Sequence, residues 1–193
     1  MATVLITGSE GNIGSYIVRR FCESHPDWKI LRIKHSVSAT TYNSIDQRYE
    51  GDLRDSLFLK KIFFEHHVDY VIHAASKSYS HTGYRDHPFQ VIENDTVSLL
   101  NLLQHSVSVS KFIYLSSALL YEHADYSPLL EENTKCMSAP TSSYGIAKWF
   151  GESAVQMFSL EHKIDFTIWR PFNIVSPLEP HDGDISSFMN SAT

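Results

Sequence analysis

The stretch VLITGSEGNIG, residues 4–14, decides the fold. Val4, Leu5 and Ile6 have the unbroken apolar character of a strand buried on both faces of a parallel sheet. Gly8, Gly11 and Gly14 then follow at intervals of three, and a helical pattern begins at Asn12. Each glycine of such a strand-to-helix turn has a mechanical use. The first permits a tight turn, the second lets the backbone approach a pyrophosphate with no side chain between, and the third lets the helix pack against the sheet. Asn12 and Ile13 open the helix, where unpaired N–H groups and the helix dipole favour an anion. A strand before the glycines and a helix after them make Gly8, Gly11, Asn12, Ile13 and Gly14 candidate cofactor-binding residues.

Outward from this turn, strand-like and helix-like runs alternate. Strands are expected at Thr3 to Thr7, Lys29 to Ile33, Gln47 to Glu50, Asp69 to Ala74, Lys111 to Ser116 and Asp165 to Arg170, and helices at Asn12 to Ser24, Ser56 to His66, Pro88 to His105 and Ser142 to His162. Such alternation predicts an α/β Rossmann-type fold, a doubly wound parallel sheet of order 3-2-1-4-5-6 with helices on its faces. In the third helix Ile92, Thr96, Leu99 and Leu103 form an apolar stripe, as do Ala147, Phe150, Ala154 and Phe158 in the fourth. Leu102, Trp149 and Val155 lie off those stripes and suggest a second buried face, compatible with a homodimer built on this helix pair. The domain is expected over 1–175, with 176–193, which contain SPLEPHDGD, reading as loop.

Bulk composition narrows the function. A chain of 193 residues with 42% hydrophobic and 20% charged residues suits one soluble domain with a real core. A formal net charge of −6 without any Lys/Arg cluster leaves no footprint for nucleic acid or an anionic membrane, and neither is expected as a partner. The first apolar run is too short for a signal peptide, so a cytoplasmic location is expected. Cys22 and Cys136 show no paired spacing and read as reduced thiols, and the eleven histidines show no ligand pattern, so no metal is expected.

The segment SSYGIAK, residues 142–148, carries the chemistry. Tyr144 and Lys148 are four apart and share a helix face. A free phenol ionises near pH 10, too high for a base at neutral pH; a neighbouring ammonium and a cationic nicotinamide would favour the phenolate. Tyr144 then suits proton exchange with a substrate hydroxyl while hydride moves to or from the cofactor. Lys148 would also hold the nicotinamide ribose. Ser117, in YLSSALLY, falls at the carboxyl end of the fifth strand, where ligands of doubly wound sheets bind, and its hydroxyl suits orienting the reacting oxygen.

These motifs together resemble the NAD-dependent epimerase/dehydratase family of the extended short-chain dehydrogenase/reductase superfamily, whose members act on nucleotide sugars. The resemblance rests on TGSEGNIG at 7–14, GDLRD at 51–55, HAAS at 73–76, LSSALLYE at 115–122, SSYGIAK at 142–148 and RPFNIVSP at 170–177. It implies that Asp52 and Leu53 contact the adenine and that Ala74, Ala75 and Ser76 line the cofactor. It also implies catalytic roles for Ser117, Tyr144 and Lys148, a place for Phe172 near the nicotinamide, and substrate contacts for Ser117 and Asn173. Two bland readings stand beside these: Asp52 as a cap of the helix near Ser56, and Asn173 as a turn residue.

The chain departs from the family in five ways. Where the family ends its second strand with an acid for the adenine ribose, this chain has Arg32, Lys34 and His35. Cations there suit a 2′-phosphate, so of NAD and NADP the reading favours NADP. The Asp and Glu that follow the catalytic hydroxyl in 4,6-dehydratases are here Ala118 and Leu119, which removes the proton donor and acceptor of water elimination. The family asparagine of the middle helix falls at Asn94 or Asp95, depending on a one-residue register, and Glu122 replaces the glycine that commonly follows Tyr121. Last, family members are much longer, and this chain stops where their substrate lobe begins. The expected function is an NAD(P)-dependent nucleotide-sugar epimerase or keto-sugar reductase. The alternatives are an NADPH-dependent reductase of a non-sugar carbonyl, or a dinucleotide-binding remnant without turnover.

Overall fold

A computed structural model of the chain describes residues 1–34, 46–76, 87–121, 139–172 and 174. In chain order its elements are β1 (Thr3–Thr7), α1 (Asn12–Ser24), β2 (Lys29–Lys34), β3 (Asp46–Glu50), α2 (Ser56–Glu65), β4 (Tyr70–His73), α3 (Pro88–His105), β5 (Lys111–Leu115), a 3-10 turn (Ala118–Tyr121), α4 (Ser143–His162) and β6 (Asp165–Trp169). The strands form one six-stranded sheet in the order β3-β2-β1-β4-β5-β6. Every pairing is parallel, with Leu5 of β1 opposite Leu31 of β2 and Val71 of β4. The expected doubly wound order is therefore the observed one.

The central strands are apolar on both faces because both faces are covered. Val4, Ile6, Ile30 and Ile72 point to α1, packing with Val18 and the partly buried Ile13, Ile17 and Phe21. Leu5, Leu31, Ile33, Val71 and Phe112 point the other way, onto Leu59 and Ile62 of α2, Leu99, Leu102 and Leu103 of α3, and Val155 and Phe158 of α4. The outer strands of the described sheet, β3 (DQRYE) and β6 (DFTIW), are more exposed than the central ones.

Local signals set the helix ends. Asp55 caps α2, accepting hydrogen bonds from the Leu57 and Phe58 N–H groups, so Asp52 is not the cap. Ser142 caps α4 by accepting from Gly145 N–H, and Pro88 occupies the first turn of α3, where its missing N–H costs nothing. The inward stripe of α3 is rotated from its expected position. Val91, Asp95, Leu99, Leu102 and Leu103 are buried, whereas Ile92 and Thr96 are half-exposed. In α4, Ala147, Ala154 and Phe158 are buried as expected and Phe150 faces outward. Leu102 and Val155 are taken up by the chain's own core, leaving Trp149 as the exposed one of the three residues that suggested a second face. Among the described residues no helix is long and apolar enough to cross a membrane. Residues 176–193, including the expected tail, lie outside the described residues.

Candidate functional site

At the carboxyl edge of β1 the chain turns into α1 through the glycine loop. Gly8 adopts the left-handed region at φ 65°, and a Cβ there would lie 2.7 Å from the backbone of Ala75. A Cβ on Gly14 would run into the carbonyl oxygen of Gly8. That same oxygen accepts from Gly11 N–H at 3.0 Å, so the loop folds back on itself as one unit. Gly11 is the residue ahead of α1 and contributes no capping side chain, and Asn12 Oδ1 is buried with no hydrogen-bond partner. A cradle without side chains, at a helix N-terminus, beside a buried oxygen awaiting a donor, fits a dinucleotide with its pyrophosphate and hydroxyl-rich riboses.

A cleft of about 500 Å³ opens from this loop. Its wall includes the expected residues Gly8, Gly11, Lys34, Asp52, Leu53, Ala74, Ala75 and Ser76. Asp52 is held there by Arg54, which pairs with its carboxylate at 2.6 Å and donates to Asn94 Oδ1 at 2.7 Å. Glu10, Arg54, Asn94 and Asp95 also line the cleft and were not assigned to it from sequence. Arg32 does not act as a surface cation. It is 1% exposed and pairs with Asp46 at 2.6 Å and Glu10 at 2.9 Å, fastening the glycine loop to β2 and β3. Lys34 faces the cleft near Glu50, at 3.6 Å. His35, expected beside it, lies outside the described residues.

A second cleft flanks the first on the side of β5 and β6. Ile13, Leu115, Tyr121, Trp169 and Phe172 are among its lining residues. Ile13, expected at the anion-binding helix start, and Phe172, expected near the nicotinamide, both line this hollow, with Phe172 stacked against Tyr121 at 5.9 Å. Asn173, Pro177 and Glu122 lie outside the described residues. The floor near Phe172 is braced by Arg170, whose guanidinium grips the Glu152 carboxylate with two hydrogen bonds, 2.7 and 2.6 Å, and donates to Tyr121 Oη at 3.0 Å. No motif announced this brace, because Glu152 sits 18 residues before its partner.

Between the clefts stand the expected catalytic residues. Tyr144, in the first turn of α4, is hydrogen-bonded by the hydroxyls of Ser76 and Ser117. One turn on, Lys148 is buried, with its Nζ 5.3 Å from the centre of the Tyr144 ring. Nζ donates to the Leu115 carbonyl at 3.1 Å and lies 3.6 Å from Asp95 Oδ2. Asp95 in turn accepts from Ser76 Oγ at 2.6 Å. Of the two candidate positions in α3, Asp95 faces Lys148, and both Asn94 and Asp95 line the first cleft. Of the two serines that follow β5, Ser117 meets Tyr144, while Ser116 is buried with its hydroxyl unpartnered.

The electrostatics differ from the sequence expectation. Burial and the Asp95 carboxylate push the Tyr144 phenol up to about 12, against the pull of its hydrogen bonds from Ser76 and Ser117. The expectation had counted Lys148 and a cationic nicotinamide, and neither burial nor Asp95. Behind this group, His73 packs against Tyr114 and shares a 2.8 Å hydrogen bond with Thr7 Oγ1; burial, helped by the Lys148 charge, lowers it to about 3. Tyr114 is likewise pushed up to about 12 by burial.

The chain thus carries a doubly wound sheet with a glycine cradle at its first crossover and a Tyr-Lys pair one helical turn apart, the frame of a dinucleotide-binding α/β domain. The NAD dependent epimerase/dehydratase family matches residues 4–192, and the chain belongs to it. Among relatives, a UDP-glucose 4-epimerase of Yersinia enterocolitica is 32% identical, the match covering 90% of this chain and 54% of the relative. A dTDP-D-glucose 4,6-dehydratase of Homo sapiens is 26% identical over 97% of this chain and 54% of its own length. Among solved structures, UDP-glucose 4-epimerase from Thermotoga maritima with UDP-glucose superposes with a TM-score of 0.76 at 27% identity, covering 87% of this chain and 54% of that one. The chain thus spans about half the length of the relatives it matches.

Proposed function

We propose that this chain is the dinucleotide-binding and proton-transfer part of an NAD(P)-dependent nucleotide-sugar epimerase or keto-sugar reductase. The observation that carries the reading is the grouping of Tyr144, Ser117 and Lys148 at the carboxyl edge of the sheet, between two clefts. The first cleft takes the adenosine end, with Asp52 and Leu53 at the adenine, the glycine loop and α1 at the pyrophosphate, and Ala74, Ala75 and Ser76 along the chain of the cofactor. Lys148 would hold the nicotinamide ribose, and Phe172 would lie near the nicotinamide. When bound, the cofactor supplies the acceptor or donor of hydride.

Ser117 orients the reacting sugar oxygen toward Tyr144. In the oxidising direction Tyr144 takes the hydroxyl proton as hydride leaves the carbon; in the reducing direction its phenol returns a proton to the carbonyl oxygen. Epimerisation needs both in turn, on opposite faces of the sugar. Ala118 and Leu119, in the turn after Ser117, offer no acid or base for water elimination, which favours this reading over a dehydratase although dehydratases are among the relatives. Lys34 at the cleft wall supports NADP over NAD, since its ammonium suits a 2′-phosphate.

Turnover assays with UDP-, GDP- and dTDP-sugars, each with both dinucleotides, test the reading. The expected outcome is activity that Tyr144→Phe lowers by about a hundredfold or more, the usual worth of a positioned acid/base. Wild-type turnover in Tyr144→Phe contradicts the assignment. Turnover of simple carbonyls alone points to the non-sugar reductase, and cofactor binding without any turnover to a non-catalytic domain.

A further inference from the structure

We propose that Glu10, in the glycine loop, sets how far this chain discriminates between NAD and NADP: its carboxylate accepts from the 2′-hydroxyl of the adenine ribose and opposes a 2′-phosphate. The inference rests on the reading of the first cleft as the adenosine end and adds the counterweight to Lys34. The acid that β2 lacks at its end is supplied instead by the turn after β1.

The placement follows from how the loop meets the strand. The Ser9 hydroxyl donates to the Ile33 carbonyl at 3.3 Å, which ties the loop to the residue just before Lys34. Glu10 comes next in the loop, and Glu10, Ile33 and Lys34 line the same cleft. Arg32 and Lys34 are two apart on β2 and project from the same face of the sheet. Arg32 lies under the loop and donates from Nη1 to Glu10 Oε1 at 2.9 Å, while its Nε and Nη2 each reach the Asp46 carboxylate at 2.6 Å. Lys34 stands one pleat further on, at the cleft wall, with Glu50 at 3.6 Å.

Arg32 orients Glu10 without exhausting it. A carboxylate has two oxygens and about four lone-pair sites. The guanidinium engages Oε1, and among the described residues Oε2 has no hydrogen-bond partner. The side chain is 15% exposed, so it is held against the protein and still reached from solvent. A ribose 2′-hydroxyl brings a proton to such an oxygen and makes a charge-assisted hydrogen bond. A 2′-phosphate brings acceptors and negative charge, and meets repulsion from the same group. Lys34 has the opposite preference, because its ammonium donates to either ligand and attracts the phosphate more. Specificity is a difference between two affinities, and here one residue on each side of the ribose position pulls that difference in its own direction. A chain carrying both takes both dinucleotides, with the lead of NADPH kept modest by Glu10.

The test is the ratio of affinities for NADPH and NADH, read from nicotinamide fluorescence on the full chain. Glu10→Gln keeps an oxygen for Arg32 and removes the charge. It is expected to raise the ratio in favour of NADPH by about tenfold, tightening NADPH and weakening NADH. Lys34→Gln is expected to lower the ratio by a similar factor. If Glu10 only fastens the loop, its variant changes both affinities together and leaves the ratio unmoved, which overturns the proposal. Comparing ADP with 2′-deoxy-ADP on the wild-type chain repeats the test without any variant. Loss of the 2′-hydroxyl is expected to weaken binding by about tenfold, the worth of one hydrogen bond to a charged group, and equal affinities overturn the proposal. Saturable binding of neither dinucleotide by the wild-type chain overturns the reading of the cleft itself, and the proposal falls with it.

Discussion

At the β1–α1 turn, three glycines shape the loop beside the first cleft, and what the glycines themselves present there is backbone rather than side chain. Across the sheet, where β5, β6 and α4 meet, the site is made by side chains: Tyr144, Lys148, Asp95, Glu152 and Arg170, held by hydrogen bonds and ion pairs. One half is specified by the absence of atoms and the other by the placement of charge. Shape fixed by missing side chains is insensitive to pH and intolerant of added carbon. Charges buried in contact are insensitive to small changes of volume, but each depends on its partner keeping its ionisation.

The contrast is sharpest at Glu152. Its carboxylate is 6% exposed and doubly bonded to Arg170, so Glu152→Ala removes the anion that a mostly buried guanidinium grips below Tyr121. A loss of about 3 kcal/mol in denaturant unfolding is expected, and a loss under about 1 kcal/mol would show that the brace is not what holds this half together. Because β6 and Phe172 are tied through Arg170, the second cleft should loosen before the first.

A smaller effect is expected with pH. His73 sits at about 3 in the folded chain because burial opposes its charge, whereas an unfolded chain takes up that proton near 6.5. The unfolded state therefore binds more protons between those values, and the contribution of His73 is complete above about pH 6.5 and declines as pH falls. The decline approaches about 1.4 kcal/mol per pH unit below 6. His73→Gln should flatten that slope relative to the wild-type chain when stability is compared at pH 7, 6 and 5. Parallel slopes for the two proteins would remove His73 from the account.

The same contrast explains what could be read from the sequence. The glycine loop, the strand order and the i, i+4 pair Tyr144–Lys148 depend on residue type at fixed spacing, and spacing is visible in a string of letters. Glu152 was missed, Arg32 misread and Asp95 reached only as one of two registers of the family asparagine, because their surroundings depend on what meets them across the sheet. Arg32 looked like a cation at a strand end; pleating turns it inward, where Asp46 and Glu10 claim it. The stripe of α3 was misplaced for a related reason. Asp95 belongs to the inward face, and a polar residue there hides the true stripe from any search for apolar periodicity. An acid interrupting an apolar face opposite a lysine motif was the one available signal.

The central claim is that the glycine cradle and the cleft beside it hold a nicotinamide dinucleotide. Titrating the purified chain with NADH and with NADPH, following nicotinamide fluorescence, tests it most directly. The account predicts saturable binding, tighter for NADPH where Lys34 meets the 2′-phosphate. Saturable binding of neither would contradict the claim and withdraw the enzymatic reading with it.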